Sequence, residues 1–168
     1  MRRWSGARVF TEVKKLTDIL DACCESPIER LFADAFIEVG FKMGHTFTVN
    51  GGDAFALVIP DSALDAGRLM LRLQPEVGNY RPDFVVEYRP PRCSPLSVVV
   101  ECDGHEWHDR TKEQAGRERT RQNWLTAEGY RILRFTGSQI YQDAHGCAVG
   151  VAKALRAFWA DESKKATA

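Results

Sequence analysis

Hydrophobic positions change period along the chain, and the changes mark out its elements. Val13, Leu16, Ile19 and Leu20 recur at helical spacing behind a basic start, which predicts a first helix over residues 8–21. Ser26-Pro27-Ile28-Glu29 is a helix start, with a capping serine, a proline at the first helical position and a glutamate at the third. Ile28, Leu31, Phe32, Ala35, Phe36 and Val39 then make one apolar stripe, and Gly40 is a natural stop. After a less regular stretch, 41–67, Phe55 to Ile59 read as a strand behind the Asn50-Gly51-Gly52-Asp53 turn. Leu69–Val77 and Tyr80–Tyr88 read as a hairpin about Gly78-Asn79. Leu96–Cys102 is an unbroken apolar strand of the kind covered on both faces. Lys112–Glu128 is a polar helix ended by Gly129, and Tyr130–Phe135 is a last strand, joined by that crossover and so parallel to the strand before it. Gln139–Ala160 closes the pattern as a helix, and residues 161–168 form a polar tail. The expectation is a mixed α/β (α+β) fold, a central mixed sheet of about four strands flanked by helices in the order αβββαβ.

A chain of 168 residues with 44% apolar and 27% charged content supports a single domain, its core within residues 26–160. Zero net charge means that any affinity for nucleic acid must come from a local patch. No apolar run would span a bilayer or serve as a secretory signal, and no membrane role is expected. The five cysteines are odd in number and lack repeated CxxC spacing, which points to reduced thiols in a cytoplasmic protein.

The chemistry lies in two apolar strands that carry acids. Glu101 and Asp103 alternate to one side of their strand, and Asp83 opens the neighbouring one. Like charges brought together at a buried sheet edge repel one another and lose hydration, and a divalent cation is the usual compensation. Hard oxygen donors favour Mg²⁺, with Mn²⁺ as a substitute, over zinc. Such an ion suits phosphodiester hydrolysis. The alternative is that the acids face water or pair with arginines such as Arg81 and Arg131. Glu29 also has two readings, as a member of the site and as the far half of a capping box with Ser26.

Beyond the acidic strand, His105 or His108 would protonate a leaving oxygen or position water, and Trp107 would stack on a base; the plainer reading is a packed tryptophan between solvated histidines. On the polar helix Arg117 and Arg121 stand one turn apart, facing either a phosphate backbone or a solvated, ion-paired surface.

The pieces Ser26–Glu29, Val77–Phe84, Val99–Gly104 and Gly129–Phe135, in this order and spread over most of residues 26–158, resemble the PD-(D/E)XK nuclease superfamily. The closer likeness is to its very-short-patch-repair-like branch and to related small bacterial endonuclease-like domains. That resemblance implies a restriction-endonuclease-like core. It makes Asp83 and Glu101 metal ligands, with the Cys102 carbonyl as a third and Glu29 beside them. It puts Asp103 where the superfamily usually has lysine, so a carboxylate replaces an ammonium that would stabilise the attacking hydroxide. It also brings Arg121 toward the active site. The function expected is a metal-dependent DNA endonuclease serving repair, restriction or homing, as monomer or homodimer. The alternative is a DNA-binding or regulatory module that has lost turnover.

Overall fold

Ser26 fixes where the first long helix begins. In the computed structural model, which describes residues 16–43, 46–51, 54–58, 68–90, 94–104 and 111–166, Ser26 is extended and its hydroxyl accepts the Glu29 amide proton at 3.3 Å. Pro27 occupies the first turn of α2 (Pro27–Lys42), where its missing N–H costs nothing. The helix runs past Gly40 because that glycine is buried inside it, and packing outweighs its weak helical preference. A preceding helix, α1 (residues 16–23), covers part of the region expected to be helical over 8–21; residues 8–15 of that expectation lie outside the described ones.

Among the described residues the sheet has six strands rather than about four: β1 (Thr46–Gly51), β2 (Ala54–Val58), β3 (Arg68–Leu73), β4 (Phe84–Arg89), β5 (Leu96–Asp103) and β6 (Arg131–Thr136), in the order β2-β1-β3-β4-β5-β6. β2 is the strand expected over Phe55–Ile59, and β1 is the one not expected; both lie in the irregular stretch after α2. There β1 pairs antiparallel with β2 and parallel with β3. The β3–β4–β5 run is antiparallel, and β6 joins β5 in parallel, as the α3 (Lys112–Ala127) crossover requires.

The expected hairpin exists with shorter strands. β3 ends at Leu73 because Gln74 turns into the left-handed region (φ 43°) and Pro75 has no proton to give the ladder. The chain reverses at Gly78 (φ 59°) between bridged Val77 and Tyr80, and β4 starts only after Pro82. Gly78 is obligatory for a second reason. A Cβ there would overlap the Trp124 ring, which also packs at a tilt against Tyr80, 5.3 Å between centroids.

Alternation along β4, β5 and β6 gives the sheet two unlike faces. Phe84, Val86, Val98 and Val100 turn to α2 and to α4 (Gly137–Ala166), where Phe32, Phe36, Ile140, Ala148 and Val151 complete the main core. Val85, Val99 and Ile132 turn the other way, to a small cluster completed by Leu125, Trp124 and Val77. Leu125 is the one buried residue of α3, whose polar sequence leaves the rest outside the core. α4 breaks at Asp143 (φ −155°, ψ 72°), whose carboxylate accepts the Gly146 amide at 2.7 Å and so restarts the helix. It then continues to Ala166, beyond the Ala160 end that the apolar pattern suggested.

Candidate active site

The β4–β5 register settles where the acids stand. Phe84 pairs with Val100 at the last rung of the ladder, so Asp83 enters β4 where Glu101 continues β5, and Glu101 faces α3. The Asp83 carboxylate crosses the gap and accepts the Cys102 backbone N–H at 2.7 Å. Asp103, half-buried, is the last residue of β5 and shares the face of Glu101. Burial pushes the Asp83 carboxyl up to about 6, the charges of Glu29, Glu101 and Asp103 push the same way, and the Cys102 N–H pulls against them. Four carboxylates therefore act on one locus, from α2, the loop before β4, and β5. The thiol of Cys102 is buried on the opposite, core face, and its pKa too is raised, by burial first and then by Asp83 and Glu29.

Glu29 is 6% exposed and fully engaged. One oxygen accepts from the Ser26 hydroxyl at 2.7 Å; the other accepts from the Glu25 amide at 2.9 Å and the Gln74 side chain at 3.0 Å. The capping reading thus holds in modified form, since the hydroxyl and the Glu25 amide take the bonds. Gln74 was not singled out by the sequence, yet it ties the site together. Its amide oxygen takes a bond from Arg81, and its backbone N–H donates to the Asp83 carbonyl at 2.8 Å. The positive φ of Gln74, set by the turn that follows, is what brings its side chain to Glu29 and Arg81, and it is visible only in three dimensions.

Glu101, 5% exposed, is gripped by two arginines. Arg121 of α3 donates to both of its oxygens, and Arg134 of β6, which faces Glu101 in the parallel register, lies 2.8 Å from Oε2. Glu118 of α3 holds the same two guanidiniums: Arg121 at 3.2 Å, and Arg134 in a short contact. Glu101 does find arginines, and they are not those expected. Arg81 pairs with Glu25, and Arg131 lies over the Phe158 ring and 3.6 Å from Glu162. Arg117 and Arg121, grouped together by sequence, part company here, the first exposed and the second turned inward. His105, Trp107 and His108 lie outside the described residues.

Carboxylates and a strand carbonyl are a hard donor set, suited to Mg²⁺ or Mn²⁺. Asp83 fits such an ion: Oδ1 has no partner among the described residues, and its raised pKa is that of a carboxylate wanting positive charge. Glu101 fits once an arginine releases it. As the side chains stand, no three His, Cys, Asp or Glu among the described residues are gathered to hold a metal.

A mixed sheet flanked by helices, with Pro-Asp and Glu-x-Asp facing each other across two strands, defines a restriction-endonuclease-like domain. Residues 62–155 match the family REase_MTES_1575, which is restriction endonuclease-like. The match spans more than half of the chain, and the chain belongs to that family. It supports a nuclease-like domain without singling out the very-short-patch-repair branch. No curated protein and no solved structure matches the chain.

Proposed function

We propose that this protein is a cytoplasmic, metal-dependent DNA endonuclease that hydrolyses phosphodiester bonds by water attack. The observation that supports it most is the Asp83 carboxylate bonded to the Cys102 amide next to Glu101, in a chain of a restriction-endonuclease-like family. In this reading Asp83, Glu101 and the Cys102 carbonyl hold Mg²⁺ or Mn²⁺. The bound cation would supply activation of water and neutralisation of charge on the phosphate. Asp103 orients the attacking water in place of the lysine usual in the superfamily, and Glu29 fixes the α2 end of the site. His105 or His108 delivers a proton to the leaving oxygen, Trp107 stacks on a base, and Arg117 meets the backbone beside the cut.

A second reading, a DNA-binding module without turnover, draws on the arginine grip on Glu101, the want of a three-donor group among the described residues, and the carboxylate in the lysine position. Supercoiled plasmid incubated with Mg²⁺ or Mn²⁺ separates the two. The nuclease reading expects nicking by the wild type and none by Asp83→Ala. Equal nicking by Asp83→Ala would assign the activity elsewhere, and binding without cleavage in either metal would favour the module.

A further inference from the structure

Glu101, Glu118, Arg121 and Arg134 form a closed, charge-neutral quartet between β5, β6 and α3, and two features do not suit a purely structural clasp. The Arg134 Nε–H is buried and has no partner among the described residues, although buried guanidinium donors are normally satisfied. Both arginines also keep 18% of their side chains in contact with solvent while they hold Glu101, so the pair is not sealed off. With the Gln122 amide assigned so that its oxygen faces Arg134, that oxygen accepts from both terminal nitrogens at 3.2 Å.

We propose that Arg121 and Arg134 are the phosphate-receiving pair of this site, stored on Glu101 and positioned by Glu118. The proposal rests on the endonuclease reading. When a divalent cation takes up the charge of Glu101, the two guanidiniums keep a single carboxylate, Glu118, and present one unbalanced positive charge next to the cation. A phosphodiester oxygen is the chemically matched replacement, since the planar fork binds phosphate as it binds carboxylate. Without the cation the carboxylates at this locus outnumber its arginines, and the site repels DNA. Cation and phosphate therefore bind cooperatively through an exchange of arginine partners, and Glu118 is a positioning residue that keeps the fork aimed while Glu101 changes partner.

The test is fluorescence anisotropy of a labelled mixed-sequence DNA duplex, titrated with the whole chain across a salt series, with Ca²⁺ as the hard divalent probe or with chelator. In Ca²⁺, Arg134→Gln is expected to lower the slope of log affinity against log salt by about one, the share of one phosphate contact, and to leave the chelator slope at the wild-type value. Arg117→Ala lowers the slope equally in both conditions. Glu118→Gln, which frees guanidinium charge without removing it, binds the duplex about threefold more tightly in chelator, the scale of one partly screened charge pair. A wild-type Ca²⁺ slope in Arg134→Gln, together with no gain in Glu118→Gln, would reduce the quartet to a clasp and overturn the proposal. If Arg134→Gln does not fold, the presence or absence of the Glu118→Gln gain decides. A wild type that binds neither duplex nor Ca²⁺ would remove the endonuclease reading as well, whereas wild-type binding of both with unaltered variants removes only the arginine exchange.

Discussion

The two faces of the sheet are built by opposite means. Toward α2 and α4 lie Phe32, Phe36, Phe84, Val86, Val98 and Val100, each at most 1% exposed, with aromatic rings packed from Phe36 through Phe32 to Phe84 and Phe135. Toward α3 lie a few valines and then, at the end of β5, a buried glutamate, two arginines and a neighbouring carboxylate of raised pKa. One face gains its stability from removing apolar surface from water. The other gives some of that up to keep charges close together and dry, which has value only where charge has work to do. The same strands serve both, so alternation along β5 alone moves from fold to chemistry between Val100 and Glu101.

Four substitutions would break or sharpen this contrast. Phe32→Ala, on the apolar face, should cost about 3–5 kcal/mol of unfolding free energy in chemical denaturation, through lost burial and a cavity between three rings. Arg121→Ala, on the charged face, should cost about 2 kcal/mol without metal, because Glu101 keeps only Arg134 in a dry setting. Mg²⁺ should recover part of that loss in Arg121→Ala and none in Phe32→Ala; equal recovery in both would erase the contrast. Asp83→Asn should stabilise the metal-free protein. The folded-state pKa of Asp83, near 6, is above the ordinary 3.8, so its contribution is intact below pH 4 and is lost as pH rises through 6. The gain should be about 1–2 kcal/mol at pH 8 and near zero at pH 4, followed by thermal melts. A gain independent of pH would mean that the site does not press on Asp83. Arg117→Ala, on the outer side of α3, should change stability by less than about 0.5 kcal/mol, which separates the solvated arginine from the inward one on the same helix.

Much of the apolar face was legible because burial leaves a periodic trace. The Ser26 cap, the stripe from Ile28 to Val39 and the crossover that makes β6 parallel follow from spacing, except that Leu31 of the stripe is exposed and Ala33 is buried in its stead. β1 was missed because Thr46–Gly51 alternates threonine and asparagine with few apolar residues, and its place depends on β3, a partner that no local pattern names. The pairing of Asp83 with Glu101 was legible from strand order and the Pro-Asp and Glu-x-Asp motifs. The arginine grip was not. Arg81 and Arg131 are near the acids in sequence or strand position, but the register sets Arg134 opposite Glu101, and helix geometry brings Arg121 over it. Gln74 left no trace at all, since its role comes from a backbone conformation imposed by the turn that follows.

The seating of Trp124 on Gly78 has a mechanical consequence. α3 is pinned near its C-terminal end, where the indole and Leu125 fill the hollow behind the hairpin tip, while toward Lys112 it offers only polar, exposed side chains. Its middle is held by a different force, the ion pairs of Glu118 and Arg121 to Arg134 and Glu101, so the helix passes from apolar seating to charge within about two turns.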